Sequence, residues 1–230
     1  MSSKLTSLYF KLYSITDHTP CDVDHPKRIW GYILDWVIGG ILTGLPAVFM
    51  YGGVTGRNDM FSDLYVFQAL GFSKSYGVIA GILCILCAMF YYIYVPLKIY
   101  PGQTLGKHLA GFKIVKKNNE PVDLKTLVVR QVLGIFLIEG AALIVSNYIR
   151  QLISLSFNFY VDYHLALIGM VITLISVILV IKTDSHRALH DYLAKTKLVL
   201  VEAKESDATS STTKEKVTPK YKNNKKSKKR

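Results

Sequence analysis

YGVIAGILCILCAMFYYIYVPL, running from Tyr76 to Leu97, holds no charged side chain. A helix needs roughly 20 consecutive apolar residues to cross the hydrocarbon core of a bilayer, and this stretch supplies them. Three others approach that length: Ile29 to Met50, Leu124 to Tyr148 and Leu165 to Ile181. Half of the 230 residues are apolar, and mean hydropathy is +0.28. The chain therefore reads as an all-α membrane protein, a four-helix transmembrane bundle with spans at about 29–50, 76–97, 124–148 and 165–181. The third span carries Arg130 and Glu139, and a charge at a helix centre costs about 2.5–3.5 kcal/mol.

Outside the spans the chain divides by composition. Residues 1–27 lack the uninterrupted apolar run and cleavage site of a secretory signal. Leu5, Leu8, Tyr9, Leu12 and Tyr13 recur there at helical spacing, which suits a helix on the membrane surface and equally a short solvent-exposed one. Residues 28–201 form the membrane domain. Residues 202–230 form a basic tail, with ten basic and three acidic residues from Lys204 onward. Such a segment cannot bury a core and reads as disordered. Beside a membrane it attracts anionic lipid at about 1 kcal/mol per basic residue. Nucleic acid is not the expected partner.

Basic loops stay on the cytoplasmic side. Residues 1 to 28 carry four Lys or Arg, the segment from Lys98 to Lys125 carries six, and the chain from Lys182 onward carries fourteen. The segment from Tyr51 to Ser75 has two, and that from Tyr148 to Asp162 has only Arg150. Both termini are expected in the cytoplasm.

Cys21 falls on the reducing side, where no disulfide is expected. Cys84 and Cys87 form a CxxC inside a span, where cysteine behaves as a small apolar residue. The pairs Gly77/Gly81 and Gly40/Gly44 have the spacing that lets membrane helices pack closely.

PGQTLGKHLAGFKIVKK, Pro101 to Lys117, looks at first like a phosphate-binding loop. That loop needs four residues between its glycines, then Lys and Ser or Thr. Here three residues separate Gly102 from Gly106, and His108 follows Lys107. A turn at Pro101 and Gly102, a helix from Thr104 to Ala110, a strand over GFKIV and a turn at KKNNEP fit better, as a small structured cytoplasmic loop packed under the bundle.

The run GQTLGKHLAGFKIV, followed by Pro121, Asp123, Leu124 and Arg130, resembles the central signature of the RDD family of bacterial membrane proteins. Gly102, Gln103, Thr104, Gly106, Lys107 and Gly111 carry that motif. Arg28 and Asp35 in KRIWGYILD resemble the family's first pair, and HRALHDYLAKTKLVL its closing segment, with the second aspartate at Asp191. The likeness runs from about Arg28 to Val201. The fourth span and the long tail depart from the family pattern. The resemblance implies a multi-pass protein of the bacterial cell membrane and, as suggested for some members, cation/proton exchange.

Arg28 and Asp35 lie two helical turns apart on one face, so Asp35 sits about 10 Å deeper. Arg28 can snorkel to the interface; Asp35 needs a cation, a proton or the bundle interior. Arg130 enters from the same side and is the expected partner of Asp35. Glu139 lies about 13 Å beyond Arg130, with no basic residue of any span at its depth. Two readings stay open for it: a titrating group in a proton-coupled carrier, and a packing group bonded to Ser176, Thr173 or a carbonyl.

His186 and His190 stand four apart beside Asp191, a weak metal-ligand spacing. The favoured reading is an amphipathic C-terminal helix closing the bundle, with an Arg187–Asp191 pair and Ala188, Leu189, Tyr192 and Leu193 as its apolar side. No enzyme template and no cofactor motif is present. Two functions remain: transport of monovalent cations and protons or another small solute, by a homo-oligomer where symmetry demands one; and a non-transporting scaffold whose loop and tail recruit lipid or protein.

Overall fold

In the computed structural model, which describes residues 20–140, 143–157 and 159–201, long apolar helices stand over a small helix-and-strand platform. The amphipathic residues of the N-terminal segment and the tail 202–230 lie outside the described residues.

Helix α1, His25–Thr55, has Pro26 in its first turn, where a missing amide hydrogen costs nothing. Gly56 stops it in the left-handed conformation, φ 69°, donating its N–H to Gly52 at 2.9 Å. Gly31, Asp35, Gly39, Thr43, Ala47 and Tyr51, every fourth residue, are its buried stripe. Ile29, Trp30, Trp36, Ile41 and Phe49 are exposed. Polar and small groups inside with large apolar groups outside is the arrangement a lipid surround favours.

After the short α2, Val66–Ala69, helix α3, Lys74–Met89, starts at Ser73, whose hydroxyl accepts the Ser75 N–H. It continues without a break as a π-helix, Phe90–Ile99. Gly77 and Gly81 face Leu155 and Leu152, respectively, at close contact, as the spacing predicts, whereas Gly40 of the other pair faces none of the described residues within 4 Å.

The platform follows: α4, Leu105–Leu109, and β1, Phe112–Lys116. Helix α5, Leu124–Val128, is capped by Asp123, which accepts the Thr126 N–H at 2.8 Å. It too runs into a π-helix, Val129–Glu139, which stops at Gly140. Helix α6, Ile144–Phe157, then sets off at 68° to it. The stretch expected as one straight third span is thus a bent pair, and much of the expected loop after Tyr148 is helix. Helix α7, Asp162–Lys182, buries only Gly169 and Ser176. Among the described residues three helices are long and apolar enough to cross a membrane, or four if the bent pair counts as one span.

The C-terminal segment is α8, Leu189–Leu193, and β2, Thr196–Leu200. Strands β1 and β2 pair antiparallel, from Phe112 opposite Leu200 to Lys116 opposite Thr196. A second strand was not expected from the sequence. Val23, Phe112, Ile114 and Leu198 form the platform's core, while Tyr51, Leu64, Phe67, Cys84 and Tyr148 are part of another at the far end of the bundle.

Candidate functional site

The two π-helical turns set up the site. A π-helix is wider than an α-helix, so consecutive side chains crowd toward one face. Tyr91 and Tyr92 are both buried in the first, and Arg130 and Gln131 in the second.

Asp35, only 3% exposed, is saturated. Its Oδ1 accepts from Tyr91 Oη at 2.8 Å and from the Gly106 N–H at 3.0 Å. Its Oδ2 accepts from Thr104 Oγ1 at 2.7 Å and from Lys107 Nζ. Tyr92 donates to its main-chain carbonyl at 3.1 Å. The expected Asp35–Arg130 pair is therefore replaced: the cation is Lys107, brought in by the loop. Gly106 permits this, because a Cβ there would stand 2.6 Å from the Asp35 nitrogen and the Gly31 oxygen. Gln103 braces the loop, donating to the Phe112 carbonyl at 2.9 Å. Gly102 and Gly111 occupy positive φ, 76° and 77°.

Asp191, on α8 and 1% exposed, is the partner of Arg130. Arg130 Nε and Nη2 donate to its Oδ1 at 3.1 and 2.9 Å, and Thr196 Oγ1 adds a bond at 2.9 Å. Arg28 turns inward instead of snorkelling, with Nη2 4.0 Å from Asp191 Oδ2. Burial would raise the Asp191 pKa, but Arg130, His190 and Arg28 outweigh it and hold the carboxyl below its usual range.

Glu139 is not alone either. His190 donates to it from its backbone N–H and contacts it through Nδ1, each at 2.8 Å, and Ser176 Oγ donates at 2.8 Å. Thr173 donates to its carbonyl. The Ser176 contact is one the packing reading named, whereas Thr173 reaches the main-chain carbonyl and not the carboxyl; the histidine partner was not foreseen. Gly134 lets α8 in, since a Cβ there would meet His190 Cβ at 2.6 Å. The His190 ring also fixes its own tautomer. Arg130 Nη2 lies 3.0 Å from Nε2 and can only donate, so Nε2 accepts and Nδ1 carries the proton given to Glu139.

His186 and His190 do not share a helix. His186, at φ 48°, precedes α8, and its ring lies 4.0 Å from that of His25. Among the described residues no group of three or more His, Cys, Asp or Glu is disposed to hold a metal ion. Arg187 donates to the carbonyls of Thr196 and Asp191, each at 2.9 Å, where a side-chain pair with Asp191 was expected.

These groups border a cavity of about 420 Å³ between α1, the second π-helix, α7 and the platform. Arg28, Asp35, Lys107, Arg130, Glu139 and His190 contribute to its wall. A comparison with protein-family models matches residues 25–195 to the RDD family. The chain belongs to the RDD family. No curated protein and no solved structure matches it. The RDD match opens at the first residue of α1 and closes just before β2, so it takes in every group of the cavity wall named above.

Sequence reasoning missed Tyr91, Tyr92 and Gln131. Their signal was adjacency: a polar pair inside or at the head of an apolar span has reason to be there only if both members face inward.

Proposed function

We propose that this RDD-family protein is a proton-linked transporter of a small solute, with the cavity as its chamber and Glu139–His190 as the proton-carrying pair. One observation carries the reading: a carboxylate and an imidazole joined by a hydrogen bond in the wall of a 420 Å³ cavity. Protonating His190 at Nε2 sets two donors, Nε2–H and Arg130 Nη2–H, against each other. A proton taken up there loosens the tie between Arg130 and α8, which also carries Asp191. Cation/proton exchange is the form the family likeness implies. The geometry favours a different solute, because all three carboxylates already have their cation or donors.

A bundle of four crossings with both termini in the cytoplasm is part of the proposal. What supports it is the β1–β2 pairing, which keeps residues 112 and 200 on one side of the membrane. An even number of crossings must separate them; α7 is one, and the bent pair is the other. Val23 packs in the same platform core, so the start of α1 belongs to that side too. The positive-inside rule makes it the cytoplasm.

A scaffold role is favoured by one feature, the fourfold-bonded Asp35, which looks built to be permanent. Reconstitution separates the two readings. Purified protein in liposomes with an internal pH dye is given outward or inward gradients of Na+, K+, Li+ or organic anions. Solute-dependent proton flux supports transport; none with any solute, in oriented and folded protein, supports the scaffold.

A further inference from the structure

We infer that the cavity binds an anionic amphiphile: an oxyanion, phosphate or carboxylate, carried on an apolar chain. The inference names the solute class of the chamber and rests on reading the cavity as a binding chamber.

The head-group site is built from two side chains that the protein leaves unfinished. Arg130 is 2% exposed and Gln131 1%. The two hydrogens of Arg130 Nη2 go to Asp191 and His190, and Nε–H goes to Asp191. Among the described residues Nη1 has no partner, and neither the nitrogen nor the oxygen of the Gln131 amide has one. Both residues border the cavity, and their unpartnered atoms lie shut off behind its wall, so a head group meets them once these side chains turn toward it. A buried, desolvated donor without an acceptor is destabilising, the more so when charged, so the native state has a standing demand for an acceptor at this spot.

The demand is for an anion. Asp35, Asp191 and Glu139 each accept three or more hydrogen bonds and are committed to Lys107, Arg130 and His190. The Arg130 guanidinium keeps the N–H groups of Nη1 to give, and phosphate or carboxylate oxygens are its best acceptors. The Gln131 amide supplies a second donor for the head, and its oxygen an acceptor for a hydroxyl or water.

Beyond the charged and polar groups already named, the wall is largely apolar. Ile29 and Tyr32 of α1 and Val177 and Ile181 of α7 line the cavity yet are 57, 51, 47 and 60% exposed. The chamber therefore opens sideways between α1 and α7 onto the surface that faces lipid. A free hydrophilic anion gains nothing from that wall; a chain attached to the head does. The volume falls within the roughly 300–1,000 Å³ of small-molecule sites.

The test is equilibrium binding to the full-length protein in neutral nanodiscs, read by calorimetry with decyl phosphate, decanol and inorganic phosphate. Saturable binding of decyl phosphate, with decanol and inorganic phosphate each at least tenfold weaker, is expected. Gln131→Leu removes an amide that bonds to none of the described residues, so it keeps the fold while weakening decyl phosphate at least fivefold. Arg130→Lys weakens it further. Displacement by phosphatidate in the nanodisc identifies a membrane lipid as the source of the head group, and resistance to it identifies a single-chain amphiphile; either agrees with the inference. No saturable binding, equal binding of inorganic phosphate, or unchanged affinity in folded Gln131→Leu overturns it. Binding without flux in liposomes refutes transport alone, and flux of another solute without this binding refutes the inference alone.

Discussion

Lys107 reaches the Asp35 carboxylate across 72 residues of sequence, and with Thr104 and the Gly106 amide it seats the loop on the first helix. Breaking one side of a buried pair costs roughly 3–5 kcal/mol, because the other charge is stranded. Asp35→Asn and Lys107→Met are each expected to lower stability by that order, and the double variant by clearly less than the sum. Thermal unfolding in detergent measures the cycle. Asp35→Asn combined with Arg130→Gln tests the rejected pairing and should come out additive within about 0.5 kcal/mol.

Gly134 and Gly40 make a matched pair of substitutions. Alanine at Gly134 drives a methyl into His190, and overpacking of this kind costs about 1–3 kcal/mol. Alanine at Gly40, which faces open space, should be neutral or raise stability slightly. Equal melting temperatures for the two variants would mean that α8 does not lie against the second π-helix.

How much of this was legible in the sequence depends on range. The positions of the first, second and fourth apolar helices, the loop's turn–helix–strand order and the inward Asp35, Arg130 and Glu139 follow from hydropathy, turn chemistry and the cost of charge in lipid, whereas Arg28 was expected at the interface and Asp191 came from the family likeness. The partners do not. Depth arguments compared only residues within spans, while Lys107 and His190 come from platform segments that fold back into the bundle. The HRALHDYL stretch reads as one helix because its periodicity is right, yet His186 at φ 48° and Ala188 at ψ 166° break it. Strand β2 hides for a related reason: TKLVL is short, and nothing local announces that β1 waits for it.

The depressed pKa of Asp191 makes stability depend on acid in a fixed direction. A carboxyl whose pKa is lowered by folding contributes fully above its unfolded value, about 3.9, and loses that contribution as pH falls through its folded value. Acid should therefore destabilise the protein progressively below about pH 4. Unfolding midpoints measured from pH 7 to pH 3 check this. Asp191→Asn should start lower at pH 7, by the stranding of Arg130, and show a shallower acid limb.

A reporter active only in the cytoplasm tests the crossings. Fused after Lys117 or Arg230 it should work, and after Asn58 or Asn158 it should fail. Activity after Asn158 would mean that the bent pair turns back without crossing, which the β1–β2 ladder forbids if α7 spans.

Glu139 gives the most direct test of mechanism. Glu139→Gln keeps an oxygen able to accept the His190 backbone N–H and the Ser176 hydroxyl, so the helices stay tied. Its new NH2 faces His190 Nδ1, where a proton now sits. The ring must therefore hand its proton to Nε2, which then meets the Arg130 donor. The variant is left with a neutral side chain in place of the carboxylate and a strained Arg130–His190 contact. If Glu139–His190 carries the coupled proton, this protein expresses and folds but loses pH-dependent flux in liposomes by tenfold or more. His190→Gln, which removes the imidazole from the other side of the same bond, should do likewise. If the pair only packs helices, both variants keep full flux, and the proton must travel by another route.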